Sequence, residues 1–199
     1  MEIDNKLFEK RKNDLQKAVD YHGHLCLGQV LGVHLAEKGM DVLGTKDPKN
    51  MIVYVENDRC IADAIQILTG TRLGRRSMKL VNYGKMAATF INTDTDDAYR
   101  VWISGKINEM IGKISTNRQE KERQYERVLQ SRSEDVVSVQ KVRVNIPPEE
   151  LPGKPKRTVT CIRCGEKVMD SKDISTESGP VCLACTEGPY YSLVKNDKQ

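Results

Sequence analysis

The sequence predicts an α+β fold: helices packed on a largely antiparallel sheet, followed by a small cysteine-rich module. Three observations point there. Apolar residues recur at helical spacing over residues 3–20, 26–38 and 103–129, and short β-branched runs joined by tight turns fill much of residues 51–103. Pro147, Pro148, Pro152, Gly153 and Pro155 then break regular structure. Beyond that break stand two C-x-x-C pairs, Cys161 with Cys164 and Cys182 with Cys185.

The elements follow in order. Ile3, Leu7, Phe8, Leu15, Ala18 and Val19 form one face of a first helix that ends near Tyr21-His22-Gly23. A second helix runs from about Cys26 to Lys38, with Gly39 as its stop. Residues 51–55 form a strand. Asp58 is placed to cap a third helix, from Arg59 through Leu68, which terminates at Gly70. Residues 78–81, 85–91 and 99–103 read as strands joined by turns at 82–84 and 93–97. The stripe of Ile103, Ile107, Met110, Ile111 and Ile114 continues through a polar stretch to Tyr125, Val128 and Leu129, which predicts one long helix. A late strand over 136–146 closes the core, so the domains fall at 1–150 and 151–199.

Composition bounds the function. With 38% hydrophobic and 30% charged residues in a 199-residue chain, there is enough apolar material for a core and too much for wholesale disorder. The charged start, Met1 to Leu15, does not read as a secretory leader, and no apolar run approaches the ~18 residues that span a bilayer. A cytoplasmic protein with no membrane partner is expected. In a reducing compartment six cysteines point to metal ligands or reactive thiols rather than disulfides. The net charge of +4 invites a nucleic-acid reading, but residues 151–199 carry eight Lys and Arg against six Asp and Glu, and a bound zinc thiolate site brings that segment near neutrality. Nucleic acid is therefore an unfavoured partner.

The seventeen residues between Cys164 and Cys182 match the spacing of a structural zinc site. Each two-residue turn aims two sulfurs at one ion, Gly165 gives the backbone freedom to close the first turn, and four thiolates leave no open position. The segment has too few apolar residues to fold unaided, so coordination supplies the folding free energy. A strand pair around residues 166–178 and a short helix opening at Cys182 would complete a treble-clef module.

A second concentration lies in His22-Gly-His24-Leu-Cys26-Leu-Gly28. Alternation in an extended segment would bring His22, His24 and Cys26 to one side, and Gly23 and Gly28 would let the backbone come close to a ligand or a neighbouring element. Cys26 and Cys60 each fall at the start of a helix, where the dipole favours thiolate. Nitrogen and sulfur ligands select a transition metal such as zinc, nickel or iron. Asp63 and Gln66 are spaced to reach the same cleft from the Cys60 helix; Arg72, Arg75, Arg76 and Lys79 offer either an anion-binding rim or a solvated basic loop. His34, among Val33, Leu35 and Leu31, is read as a packing or surface histidine.

The ordered set of Tyr21 to Gly28, Cys60-Ile-Ala-Asp-Ala-Ile-Gln66, Thr69 to Gly74, and Tyr83-Gly84-Lys85 leading to Ala88-Thr-Phe90 resembles proteins related to the E subunit of formylmethanofuran dehydrogenase. Some members of that family also carry a C-terminal treble-clef zinc finger. The resemblance implies an α+β core, a homodimer, association with dehydrogenase subunits in one-carbon metabolism, and a cleft where His22, His24, Cys26 and Cys60 meet. Leu27 stands where the family usually has proline, and Thr71 where it often has cysteine. The pterin and iron–sulfur cofactors of the parent enzyme belong to other subunits. Three functions follow as expectations. The first is a metal-binding accessory or small-molecule-handling protein, with structural zinc in the tail and a second transition metal in the core. The others are a thiol-dependent enzyme using Cys26 or Cys60 with His22 or His24, and an interaction module for protein or nucleic acid.

Overall fold

Asp4 opens the first helix, its carboxylate accepting the Leu7 N–H at 2.9 Å. A computed structural model of the chain describes residues 3–45 and 47–194; Met1, Glu2, Lys46 and residues 195–199, the end of the expected module, lie outside them. The chain divides between Asn145 and Ile146 into two compact units.

The first unit begins with α1 (Asn5–His22) and α2 (Leu27–Leu43). Strand β1 (Met51–Val55) leads to α3 (Cys60–Thr69), then β2 (Met78–Leu80), β3 (Ala87–Asn92) and β4 (Ala98–Ile103). Helices α4 (Lys106–Ile111), α5 (Arg118–Gln130) and the single turn α6 (Ser133–Val136) precede β5 (Val137–Val142). The sheet order is β2-β1-β3-β4-β5. β1 and β2 run parallel, because a connection containing α3 returns the chain to the same end; the other three pairings are antiparallel. Helices cover the sheet face that carries Val53, Val55, Ala88, Phe90 and Val101, and α2 contributes Val30, Leu31, Val33, Leu35 and Ala36 to the shared core.

Several boundaries differ from the sequence reading, each for a tertiary reason. Helix α2 does not stop at Gly39. It continues to a left-handed cap at Gly44, and Gly39 is buried where a Cβ would overlap the Phe90 ring. Asp58 does not cap α3; the N-cap is Arg59, whose N–H bonds to Asn57 Oδ1 at 3.2 Å. The predicted long helix is two, split between Gly112 and Asn117. Gln124 ties the break: its Oε1 accepts the Ser115 N–H, and its Nε2 donates to the carbonyls of Ile111 and Lys113.

Arg11 sits in the charged N-terminal stretch, yet it is only 1% exposed. Its guanidinium forks onto Glu37 and donates to Leu129 O, Ser131 O and Ser133 Oγ, tying α1 to α2, to the end of α5 and to the chain after it. Beside it, His34 is fully buried and its Nε2 donates to Val128 O at 2.9 Å, the packing role read from sequence. Burial first, and the Arg11 charge second, drive the His34 pKa down to about 4, while Glu37 pulls it the other way. An unfolded histidine titrates near ~6.5, so below that pH the unfolded chain binds the proton first. His34 therefore costs stability progressively as pH falls from about 6.5 to 4, by roughly 3 kcal/mol in all. Urea unfolding of metal-free protein across that window should show this loss; His34→Gln, which keeps a donor for Val128 O, should flatten it. Identical slopes would remove His34 from the acid response.

In the second unit, β6 (Thr158–Thr160) pairs antiparallel with β7 (Lys167–Met169), and β8 (Asp173–Thr176) with β9 (Gly179–Cys182). Helix α7 (Leu183–Glu187) follows directly. Among the described residues from 146 to 194, only Cys161 and Val181 are buried.

Candidate metal centres

The core cluster is assembled by a helix end. Gly23 takes a left-handed conformation (φ +91°) and its N–H closes on Val19 O at 2.7 Å, so α1 stops and the chain doubles back. The His22 and His24 ring centroids are then 4.5 Å apart. Cys26, in extended backbone, is the N-cap of α2. Ligand atoms of His22, His24 and Cys26 all lie within 4.8 Å of one another. The three converge as predicted, although through a helix end and not through strand alternation.

Cys60 arrives from α3. A Cβ built on Gly28 would lie 2.7 Å from Cys60 Cβ, 3.5 Å from Cys60 Sγ and 3.6 Å from Cys26 Sγ, so both sulfurs flank that bare glycine. One turn on, a Cβ on Gly32 would overlap Ala64 Cβ. Gly28 and Gly32 on α2 thus face Cys60 and Ala64 on α3, four residues apart on each helix, and the two backbones approach closely. Burial, followed by the neighbouring Cys60 thiol, raises the Cys26 pKa despite the helix start and the Gln29 N–H, which act the other way. The expected thiolate preference therefore fails at Cys26, because desolvation outweighs the dipole. An added cation would reverse that balance.

His22 is oriented by Asp63. Its Nδ1 lies 2.8 Å from Asp63 Oδ2, so Nδ1 donates to the carboxylate and, in the neutral imidazole, the lone pair lies on Nε2. Nε2 is buried and has no hydrogen-bond partner among the described residues. A carboxylate–histidine pair presenting a free nitrogen beside sulfur could hold a transition metal, which would satisfy an atom that is otherwise orphaned. Gln66 donates to Tyr21 Oη at 2.6 Å, so both α3 residues singled out in the sequence do bond toward the end of α1.

A cavity of about 410 Å³ is lined by the polar and thiol side chains of His22, Cys60, Asp63 and Gln66, by the apolar Val55, Leu73, Met78 and Leu80, and by Asn57, Asp58 and Arg59. The basic residue in that lining is Arg59, not Arg72, Arg75, Arg76 or Lys79. Sequence reasoning also missed Gln29, which is fully buried and donates to Cys60 O at 2.7 Å. Its only signal was a polar residue on the apolar face of α2.

The second cluster lies wholly within the C-terminal unit. Ligand atoms of Cys161, Cys164, Cys182 and Cys185 lie within 4.8 Å of one another. Gly165 (φ +77°) closes the first turn, its N–H bonding to Cys161 O at 2.9 Å. The Cys182 N–H points at Cys161 Sγ (3.3 Å) and the Cys185 N–H at Cys182 Sγ (3.4 Å). Backbone N–H groups of Cys164 and Cys182 bring the Cys161 thiol down to about 6, while the crowd of neighbouring thiols, Cys182 foremost, pushes Cys185 up to about 12. Four sulfurs at this spacing can hold one metal ion, and the cluster fits a small zinc module.

The family model described as FmdE, Molybdenum formylmethanofuran dehydrogenase operon, matches residues 21–146. The chain belongs to the FmdE family. The match starts at Tyr21, one residue before the core cluster. A protein from Archaeoglobus fulgidus named "Probable S-adenosyl-L-methionine-binding protein" is 26% identical over 205 residues, covering 90% of this chain and 54% of that protein. The chain therefore spans about half the length of that curated relative. Among solved structures, a tungsten formylmethanofuran dehydrogenase FmdE-like protein from Syntrophus aciditrophicus superposes with a TM-score of 0.64 at 21% identity, over 92% of this chain and 95% of that one. That likeness establishes a shared fold for the FmdE-family chain.

Proposed function

We propose that this FmdE-family protein is a metal-binding, small-molecule-handling accessory. A transition metal in its core would be held by His22, His24 and Cys26 with Cys60 close by, and a structural zinc by the four C-terminal cysteines. The domain roles follow: residues 1–150 present the ligand cleft and residues 151–199 form the zinc module. The observation that carries the core reading is His22, fixed at Nδ1 by Asp63 with its buried Nε2 left without a partner among the described residues. A metal there would supply Lewis acidity and lower the pKa of a bound water. The protein's own part is to fix the imidazole, to bring the Cys26 and Cys60 thiols together beside Gly28, and to line the adjoining cavity with apolar side chains.

Family membership supports a place beside the other formylmethanofuran dehydrogenase subunits, hence one-carbon metabolism, as a cytoplasmic homodimer. The S-adenosylmethionine binding named for the Archaeoglobus protein stays with that protein, of which this chain matches about half. A second reading, a thiol-dependent enzyme, is favoured by the closeness of the Cys26 and Cys60 sulfurs around Gly28.

Metal analysis separates the two. The wild-type chain should carry about two metal ions under metal-replete conditions, and His22→Ala or Cys26→Ser about one. The same single ion in all three proteins would rule out a core metal and leave the thiol reading, and two ions in all three would show that these side chains do not hold it. Asp63→Ala removes no ligand but frees the His22 ring, and should weaken the core metal by roughly 10- to 100-fold in competition with a chromophoric chelator. Unchanged affinity would show that Asp63 does not orient His22.

A further inference from the structure

The cavity beside the core cluster combines polar and apolar lining, with Asp58 and Arg59 exposed to solvent. Its lining draws His22, Cys60, Asp63 and Gln66 from α1 and α3, and Val55, Met78, Leu80 and Leu73 from β1, β2 and the chain between α3 and β2. Leu73 is 64% exposed and Leu80 48%, so part of the apolar lining is open to solvent, while Val55 and Met78 are buried. About 410 Å³ is within the range of small-molecule pockets.

The charge in the lining is specific. Among the described residues no hydrogen bond or ion pair engages the Arg59 guanidinium, whereas Asp63 is paired with His22. Arg59 is also the N-cap of the ten-residue helix α3, and no side chain caps that helix end. A planar guanidinium offers two parallel donors to one carboxylate. A doubly charged phosphate would meet Asp58 and Asp63 in the same lining, so a single negative charge fits better.

We infer that the cavity takes a small monocarboxylate with an apolar body, its carboxylate on Arg59 and its body along Val55, Leu73, Met78 and Leu80. This rests on the reading of the core cleft as the functional site and names the chemistry of its ligand.

The test is calorimetric titration of the full-length, zinc-replete protein with hexanoate, acetate, hexylamine and inorganic phosphate. Hexanoate should bind about tenfold or more tightly than acetate, since its additional methylenes are buried on the apolar wall. Arg59→Met should weaken hexanoate by about tenfold or more, with Arg59→Lys between the two. Leu80→Asn should erase the preference for hexanoate over acetate. Hexylamine or phosphate binding as tightly as hexanoate would overturn the inference, as would an Arg59→Met chain that binds hexanoate like the wild type. Metal content of the same samples separates this from the metal reading. Arg59-dependent hexanoate binding to a chain without core metal would sink the metal and keep the carboxylate; a metal-loaded core that ignores hexanoate would do the reverse.

Discussion

A Cys164→Ser chain is expected to lose the fold of residues 158–187 as a unit while residues 5–142 keep theirs. The reason lies in what else could hold the module. Among its described residues only Cys161 and Val181 are buried, and Ile162, Met169 and Leu183 are exposed, so apolar burial contributes little. Two short antiparallel pairs and one five-residue helix are not stable alone. Coordination by four thiolates contributes on the order of 10 kcal/mol or more in such modules, so losing one ligand or the ion exceeds any other term available. Hydrogen exchange reads the result directly. The amides of β7, β8 and β9 should exchange at unprotected rates in the variant, and in the wild type after strong chelation, with protection in β1, β3 and β4 retained. Persistent protection of β8 and β9 without metal would show that the module folds on its own contacts.

Gly32→Leu is expected to lower the stability of the N-terminal unit by about 3 kcal/mol and to abolish the proposed core metal binding. A Cβ at Gly32 overlaps Ala64 Cβ and comes within 3.4 Å of the Ile61 backbone, so accommodating it means moving α2 away from α3 rather than rotating a side chain. That same approach brings the Cys60 and Cys26 sulfurs to either side of Gly28. One substitution therefore couples packing to the site. Gly32→Ala should show a smaller loss of the same kind. Gly74→Ala, where a Cβ meets nothing within 4 Å, should leave both stability and metal content unchanged. An unchanged denaturation midpoint for Gly32→Leu would mean that the spacing of the two helices is not set at this contact, and would detach the site geometry from the glycine pair.

Much of the chemistry was legible without coordinates because it is local. The two C-x-x-C turns, with Gly165 closing the first, define a four-sulfur cluster whose geometry is set within each turn. His22, His24 and Cys26 converge because three ligands within five positions cannot lie far apart once Gly23 ends the helix. The strands at 51–55, 78–80, 87–92 and 98–103 carried their β-branched and turn signals in their own residues.

What the sequence by itself determined, then, was the residue chemistry, the alternation of helices with short strands, and the breakpoints that glycine and proline impose on a neighbouring few residues. Only the tertiary structure decided the roles that depend on distant partners. Gly39 reads as a helix stop, yet it is an inner helical position vacated for Phe90, since a missing Cβ serves either use and the sequence cannot distinguish them. The long apolar stripe after Ile103 reads as one helix because periodicity survives a break that Gln124 stitches from twelve residues beyond Gly112. Arg11 reads as a surface charge, and it is buried because Glu37, Leu129, Ser131 and Ser133, as many as 122 positions away, satisfy its guanidinium. Asp63 orienting His22, and Cys60 meeting Cys26 across Gly28, depend on α3 docking against α1 and α2, a contact over more than thirty residues that no local pattern encodes.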